Sequence, residues 1–240
     1  MKIILCKNYY EVSLQAANIV AQQIKNKPQS VLGLPTGSTP LGLYKSLIKM
    51  NKENTLDFSG VITFNLDEYY PISRDNAQSY YYFMHDNLFN HININKQNVH
   101  ILNGEATDPQ EECTNYESAI EKAGGIDLQV LGIGQNGHIG FNEPGNTLKS
   151  TTNLTDLTPN TIDVNSRFFE KIEDVPKKSL TMGIGSIMKS KKIILLASGV
   201  EKANAISELL KGDITTANPS TLLNAHRDVT IIVDNAAMEG

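Results

Sequence analysis

The chain has 240 residues and a formal net charge of -5, and 40% of its residues are hydrophobic, which is typical of a globular protein with a sizeable core. Because lysine and arginine form no basic block, the charge pattern argues against nucleic acid as a partner. The two cysteines, Cys6 and Cys113, lie far apart and outside any CxxC or Cys/His cluster, which argues against a disulfide framework and a structural zinc site.

Short apolar runs alternate with amphipathic helical patterns along the chain. Most of the runs are continuous rather than alternating, as in strands that are covered on both faces of a parallel sheet. Between the first runs, apolar residues recur at helical spacing over 12–24 and over 41–48. Strands are predicted at 1–6, 30–34, 61–66, 128–133, 180–182, 192–197 and 229–233.

This alternation predicts a single α/β domain over 1–240, with one doubly wound, mostly parallel sheet and helices on both faces, in the Rossmann-like manner. The apolar run at 1–6 is shorter than the core of a signal peptide. No stretch approaches the roughly 20 apolar residues of a membrane span. The sequence therefore predicts a cytoplasmic protein that does not bind membranes.

The first candidate site follows the predicted strand 30–34, because ligands of open α/β sheets bind beyond the carboxyl ends of the strands. There the sequence reads Pro35-Thr36-Gly37-Ser38-Thr39-Pro40. Gly37 permits close approach of backbone N–H groups, and Ser38 and Thr39 add hydroxyl donors. Thr39 is also suited to cap the following helix, with Pro40 in its first turn. The segment is therefore either a phosphate site or only a helix cap.

Two acids, Asp67 and Glu68, follow the predicted strand 61–66 directly and precede Tyr69 and Tyr70. Such a pair is commonly a solvated turn. If it is partly buried, the pKa of a carboxyl group rises and the group becomes a competent general base or acid. Because successive strand residues point to opposite faces, one of the two is expected to face a site, and the pattern does not decide which.

The segment after 128–133 reads Gly134-Gln135-Asn136-Gly137-His138-Ile139-Gly140-Phe141-Asn142-Glu143-Pro144. Three glycines around one histidine indicate tight turns with little side-chain screening. His138 is therefore a candidate acid–base group, with a turn donor as the alternative. Glu143 and Asn136 lie within plausible reach to orient its ring.

Two basic residues are candidates for binding an anion. Lys202 lies in the first turn of a predicted helix, where it opposes the helix dipole unless it meets an anion; the alternative is a pair with Glu201. Arg167 lies in 146–178, a stretch rich in Thr, Asn, Asp and Pro that is predicted to be irregular. This stretch is either a lid or a decorated surface loop. Arg167 either closes over a phosphate or lies on the surface.

The remaining patterns argue against metal and cofactor chemistry. The other histidines have no metal-like spacing. The glycines at 132 and 134 lack the rest of a dinucleotide fingerprint, and no serine lies in a G-x-S-x-G turn. No metal and no cofactor are predicted.

Five segments, spread over nearly the whole chain, together resemble glucosamine-6-phosphate deaminases, within the larger group that holds 6-phosphogluconolactonases and ribose-5-phosphate isomerases. The resemblance implies conversion of glucosamine 6-phosphate and water to fructose 6-phosphate and ammonia. The matching segments are Gly33-Leu34-Pro35-Thr36-Gly37-Ser38-Thr39-Pro40, Thr63-Phe64-Asn65-Leu66-Asp67-Glu68-Tyr69, Ser79-Tyr80-Tyr81, the segment from Gly134 to Pro144, and Asn165-Ser166-Arg167-Phe168-Phe169.

The resemblance also implies a role for each catalytic candidate. His138 moves a proton during ring opening, and Asp67, rather than Glu68, shuttles a proton between C2 and C1 through an enolamine. Glu143 and Asn136 set the orientation and basicity of the imidazole.

By the same resemblance, the loop Gly37-Ser38-Thr39 binds the substrate phosphate together with Arg167 and Lys202. The stretch 146–178 corresponds to a lid.

The sequence departs from the family in places. Some relatives have Asp in place of Asn136. Allosteric relatives have Arg and Lys where this chain has the uncharged Asn153 and Thr155, and the chain ends early at Gly240. We therefore expect a monomer or small homo-oligomer without the allosteric N-acetylglucosamine 6-phosphate site. The alternatives are a 6-phosphogluconolactonase and a non-catalytic sugar-phosphate sensor.

Overall fold

The computed structural model describes residues 1–166, 169 and 171–239, and ten strands lie within them. Most begin or end within two residues of the apolar runs that predicted them. The strands are β1 (Lys2–Cys6), β2 (Val31–Leu34), β3 (Ile62–Asn65), β4 (Asp67–Tyr70), β5 (Val99–His100), β6 (Leu128–Gly132), β7 (Asn153–Asp156), β8 (Lys178–Thr181), β9 (Lys192–Ala197) and β10 (Val229–Asp234).

The described α-helices follow the strands in near-regular alternation, and short 3-10 turns connect several of them. None of the helices in the described ranges is both long and apolar enough to cross a bilayer. The α-helices are α1 (Tyr9–Asn26), α2 (Leu41–Lys52), α3 (Tyr80–Asn87), α4 (Pro109–Lys122), α5 (Pro159–Ser166), α6 (Ile184–Met188), α7 (Ala203–Leu210) and α8 (Asn235–Met238).

The main sheet has the order β1-β10-β9-β6-β2-β3-β5, and all its neighbouring strands run parallel. It separates two hydrophobic cores. On one face α1, α2 and α3 bury residues such as Val12, Tyr44 and Met84. On the other face α4 and α7 bury residues such as Tyr116 and Ile206. Helices therefore cover both faces, and the predicted doubly wound sheet is confirmed.

The first two helices bury the predicted apolar faces, but one predicted cap is wrong. Helix α1 buries its apolar face from Val12 to Ile24. At α2 the N-cap is Pro40, without a side-chain capping bond, so Thr39 does not cap this helix. Pro40 already has helical dihedral angles, and its carbonyl accepts the first intrahelical bond, from the N–H of Tyr44 at 2.9 Å.

A second, antiparallel sheet has the order β4-β8-β7. The strand predicted at 180–182 is present as β8, but it belongs to this sheet. The acidic pair at 67–68 begins β4 and is therefore not a solvated turn. Leu66 links the two sheets, because its N–H donates to Leu34 in the main sheet and its carbonyl accepts from Met182 beside β8.

The described part of the stretch 146–178 is not irregular throughout, in contrast to the prediction. It contains β7, α5, a 3-10 turn at Ile172–Asp174 and the first residue of β8. Strand β7 lies at the edge of the small sheet, where polar residues are tolerated on the open side. This explains why its sequence carries no apolar strand pattern.

The main sheet changes direction between β2 and β6. From β2 the chain proceeds to β3 and β5 at one edge, and from β6 to β9 and β10 on the other side. Ligands of doubly wound folds bind beyond the carboxyl ends of the strands at such a switch point. The four adjacent strands β9, β6, β2 and β3 precede all the candidate segments except Arg167.

Candidate active site

Asp67 and Glu68 are both buried, with 6% and 1% of their surface exposed, but their surroundings differ. The Glu68 carboxylate accepts the backbone N–H groups of Tyr69, Tyr80 and Tyr81 at 2.8–2.9 Å, and so holds the first turn of α3. No hydrogen bond from the described residues reaches the Asp67 carboxylate. Glu68 is therefore engaged in the fold, whereas Asp67 remains available for a ligand.

Burial makes both carboxyl groups weaker acids than usual. Burial raises the pKa of Glu68 to about 7, although the three N–H donors and the charge of Arg74 oppose the rise. Burial, together with the negative charge of Glu68, raises the pKa of Asp67 to about 8. Because the N–H donors favour an ionised Glu68, Asp67 is the member of the pair that takes up a proton near neutral pH. This suits a group that accepts a proton and returns it.

The loop after β6 is built closely around His138. A Cβ atom on Gly134 would lie 2.3 Å from a ring carbon of His138, so only glycine fits beneath the imidazole. Gly137 has a φ of +81°, a left-handed conformation that favours glycine. The N–H of Gly134 donates to the His138 carbonyl at 2.9 Å and closes the loop. Gly134 is therefore required by the position of the ring, and Gly137 by the conformation of the turn.

A polar network fixes the far side of the ring. Nδ1 of His138 lies 3.4 Å from Oε2 of Glu143, an electrostatic contact rather than a tight hydrogen bond. The Asn136 side chain donates to the same oxygen at 2.9 Å and accepts the backbone N–H of His138 at 3.2 Å. Asn136 therefore contacts Glu143 and the backbone, not the ring itself as its position in sequence suggested.

Glu143 is held as an anion. Burial would raise its pKa, but interaction with His138 and hydrogen bonds from Thr161 and Asn136 lower it to about 2. A carboxylate on the Nδ1 side favours the tautomer with a proton on Nδ1. Nε2 of His138 is then left as an acceptor on the other side of the ring, and the ring as a whole is 26% exposed.

The His138 loop passes directly over Asp67. A Cβ atom on Gly140 would lie 3.3 Å from Oδ2 of Asp67, which places the loop backbone against this carboxylate. The N–H of Phe141 donates to Oγ1 of Thr181 at 3.1 Å, and Asn142 donates to the Met182 carbonyl at 2.9 Å. The small sheet therefore holds the loop and Asp67 together.

The loop Gly37-Ser38-Thr39 lies next to this assembly, because β2 pairs with β6. Gly37 has a φ of +92° and open space where a side chain would be, and Ser38 is exposed. The hydroxyl of Tyr9, on α1, donates to the Ser38 carbonyl at 3.1 Å and accepts the N–H of Gly42 at 2.8 Å. The loop is thus open to a ligand, and the Tyr9 hydroxyl holds its backbone in place.

Of the two basic candidates, the structure describes only Lys202. Lys202 ends a 3-10 turn after β9, and β9 pairs with β6 on the side opposite β2. Ahead of it, Asp234 accepts hydrogen bonds from the Ser198 hydroxyl and the Gly199 N–H and fixes the turn. Arg167 lies outside the described residues.

A sequence profile of the glucosamine-6-phosphate isomerases and 6-phosphogluconolactonases matches residues 9–232 of this chain. The chain belongs to this family.

Several relatives within the family are similar over nearly their full lengths. The glucosamine-6-phosphate deaminase of Thermoanaerobacter sp. (strain X514) is 62% identical, over 99% of this chain and 94% of that protein. The glucosamine-6-phosphate deaminase of Clostridioides difficile (strain 630) is 55% identical, over 99% of this chain and 95% of that protein.

Solved structures agree with the family assignment. The structure of a monomeric glucosamine-6-phosphate deaminase, 46% identical, matches with a TM-score of 0.96 over 99% of this chain and 98% of that one. The 6-phosphogluconolactonase of Thermotoga maritima matches with a TM-score of 0.76 over 98% and 99% of the two chains, at 24% identity. At this lower sequence identity, the match shows that the two proteins share a fold.

Two residues of this family member, Tyr9 and Thr161, contribute to the site but were not candidates from sequence, and Glu68 was considered only as the alternative to Asp67. Glu68 organises α3, Tyr9 braces the Gly37-Ser38-Thr39 loop, and Thr161 donates to the carboxylate of Glu143. Tyr9 and Thr161 are distant in sequence from the groups that they contact. No local sequence pattern signals such contacts, whereas Glu68 was visible as half of an acidic pair.

Proposed function

We propose that this protein is a glucosamine-6-phosphate deaminase, which converts glucosamine 6-phosphate and water to fructose 6-phosphate and ammonia. One observation carries the proposal: a buried carboxylate without a hydrogen-bond partner among the described residues, Asp67, lies against the loop that presents His138. Moving a proton between adjacent carbons of a sugar needs a positioned carboxylate in a shielded site, and ring opening needs an imidazole.

The first step is opening of the sugar ring. Nε2 of His138 takes the proton of the C1 hydroxyl and returns a proton to the ring oxygen as the C1–O bond breaks, which leaves an aldehyde at C1. Glu143, ionised and close to Nδ1, stabilises the imidazolium that forms between the two transfers. Asn136 and Thr161 hold Glu143 in this position.

The second step is carried by Asp67. Its carboxylate removes the proton from C2, and the electrons of the C–H bond form the C1–C2 double bond. The aldehyde oxygen takes up a proton from the C2 ammonium group, which gives an enolamine with a hydroxyl group at C1. Return of the proton to C1 gives a C2 imine. Water adds to C2 and the C–N bond breaks with release of ammonia, which leaves the ketone of fructose 6-phosphate. Atoms and electrons balance without an external oxidant or reductant.

The phosphate is bound beside these groups, by the backbone and hydroxyl groups of Gly37, Ser38 and Thr39 with Lys202 and Arg167. The position of the loop at the switch point and its open Gly37 support this assignment for the described residues.

The stretch 146–178 acts as a lid over the sugar. Two contacts support the assignment: Thr161 of α5 donates to Glu143, and the ring of Phe169 packs edge-on against Tyr69 with centroids 5.8 Å apart. A lid in contact with the catalytic loop excludes water from the enolamine.

The enzyme works as a monomer or small homo-oligomer and lacks an N-acetylglucosamine 6-phosphate effector site. In support, Asn153 and Thr155 on β7 are uncharged, and the similar deaminase of solved structure is described as monomeric. Because sugar phosphates are charged and do not cross bilayers unaided, the cytoplasm is the proposed compartment.

One assay tests the proposed function. The purified chain is mixed with glucosamine 6-phosphate, and ammonia and fructose 6-phosphate are measured with and without a chelator. Equal amounts of both products, unaffected by the chelator, are expected. Turnover of 6-phosphogluconolactone alone would identify a lactonase instead, and binding of glucosamine 6-phosphate without turnover would identify a sensor.

A further inference from the structure

A cavity of about 470 Å³ lies at the β5 edge of the main sheet and shares no residue with the proposed active site. Its volume is in the range of small-molecule sites. Val99 and Ile101 supply an apolar part of the lining, and Tyr81 and His85 of α3 supply an aromatic part. The cavity therefore has room for more than a single ion.

The polar lining of this cavity is positive. Arg74 and Lys96 line it together with His85 and Asn90, and none of its lining residues is acidic. Within the described residues, neither Arg74 nor Lys96 lies within 4.0 Å of a carboxylate oxygen as an ion pair. The nearby Glu105 accepts the backbone N–H of Arg74 rather than its guanidinium. In a chain with a net charge of -5, such a cavity is open to an anion.

One of the two cationic groups, Arg74, lies over an aromatic ring that contacts a second ring. The guanidinium carbon of Arg74 lies 5.1 Å from the centroid of the Tyr81 ring, and the rings of Tyr81 and His85 have centroids 4.4 Å apart. Asn90 contacts His85, with its Oδ1 3.4 Å from Nδ1 of the ring. Holding Arg74 over a ring reduces the entropy that a bound anion would otherwise cost.

The charges of Arg74 and Lys96 also act on His85 in the cavity lining. Burial lowers the pKa of His85, and the charges of Lys96 and Arg74 lower it further, against the contact with Asn90 that raises it. An anion placed between Arg74 and Lys96 would offset these charges.

We propose that this cavity is a second anion site, which binds a small organic phosphate with its phosphate group between Arg74 and Lys96 and its organic part on Val99 and Ile101. A ligand there contacts α3 at Tyr81, whose backbone N–H donates to Glu68 at 2.8 Å. The site is therefore linked through one hydrogen bond to the acid that adjoins Asp67.

The test is an NMR titration of the histidine ring resonances, with glycerol 3-phosphate or inorganic phosphate as the probe, at constant pH and ionic strength. The His85 signals, assigned by their loss in His85→Gln, are expected to shift saturably. Tighter binding of glycerol 3-phosphate indicates that the cavity takes an organic phosphate. Equal affinities would limit the site to the phosphate group and overturn the proposed role of Val99 and Ile101.

A double variant, Arg74→Gln with Lys96→Gln, is expected to weaken the His85 titration at least about tenfold, because two charge-assisted contacts are lost. The matched control, Arg74→Lys with Lys96→Arg, keeps the charges and is expected to retain most of the affinity. An absent His85 response in the wild type, or an unchanged one in the double glutamine variant, would overturn the proposal. This measurement reads binding at His85 and stands apart from deaminase activity.

Discussion

The two adjacent acids at the start of β4 each have a carboxyl group and are both deeply buried, but their surroundings differ. Glu68 accepts three backbone N–H groups, while Asp67 accepts no hydrogen bond from the described residues. When it is ionised, Glu68 places a negative charge at the start of α3. This charge raises the pKa of Asp67 and so increases its affinity for a proton.

Replacement of Glu68 by Gln is expected to move the acidic limb of the pH profile of kcat/KM to lower pH. In the wild type Asp67 loses activity as it becomes protonated below its pKa of about 8. The variant removes the negative neighbour that raises this pKa, so Asp67 stays ionised at lower pH. Steady-state kinetics across pH measure the change.

Glu111→Gln, an exposed change on α4, is the matched control and should leave the limb in place. Titration of the substrate affects all the variants equally and cancels in the comparison. A limb that moves to higher pH in Glu68→Gln would contradict the coupling of the two acids.

The sequence predicted which residues lie close to one another where those residues belong to one short loop. The spacing of His138, Asn136 and Glu143 within one loop predicted that they lie together, and they do. The choice between Asp67 and Glu68 required either the family resemblance or the structure, because it depends on N–H groups of Tyr80 and Tyr81 twelve and thirteen residues away.

At the scale of elements, α1 supports the loop after β2 through a single hydroxyl group. Tyr9→Phe removes the hydrogen bonds to Ser38 and Gly42 and loosens the proposed phosphate loop. KM for glucosamine 6-phosphate is expected to rise about threefold to tenfold with kcat nearly unchanged. Tyr10→Phe, on the same helix and 70% exposed, is the control. A fall in kcat with KM unchanged would refute a role in phosphate binding.

Helix α5 contacts the catalytic loop through Thr161. Thr161→Val keeps the shape of the side chain but removes the hydrogen bond to Glu143. Because bonds to a charged group are strong, kcat is expected to fall about tenfold. Thr114→Val, at an exposed position on α4, is the control for a general effect of the substitution. Full activity of Thr161→Val would show that the proposed lid does not position Glu143.

The elements that the sequence predicted well are buried strands, because their residues are mostly apolar. Strands β9 and β10 are mostly apolar and lie next to each other in the interior of the main sheet. The short β5 and the polar β7 lie at sheet edges and were not predicted. An edge strand is defined by the partner that it pairs with, and pairing between distant segments leaves no periodic pattern.

For the whole molecule, the sheet order brings four separate loops to one place. Strands β9, β6, β2 and β3 are neighbours, so the loops that follow them meet at one edge of the sheet. The alternation of strands and helices predicted the doubly wound class but not this order. The order depends on long-range pairing, as between β6 and β9, which lie about sixty residues apart.

The proposed absence of an effector site has a consequence for assembly. Light scattering is expected to give the same mass with and without N-acetylglucosamine 6-phosphate, and the rate is expected to depend hyperbolically on substrate concentration. A mass increase, or a sigmoidal curve that this compound makes hyperbolic, would contradict the proposed absence of an N-acetylglucosamine 6-phosphate site, because such coupling needs a site for this compound.

The central claim is that Asp67 and His138 act on one sugar phosphate. Proton NMR of glucosamine 6-phosphate turnover in D₂O tests it most directly, with wild type and Asp67→Asn compared. The wild type is expected to release ammonia and to place deuterium at C1 of fructose 6-phosphate, because the proton on Asp67 exchanges in part with D₂O before a proton returns to C1. The variant is expected to bind the substrate and stay folded but to exchange no carbon-bound proton. Exchange in Asp67→Asn at the wild-type rate would contradict the account.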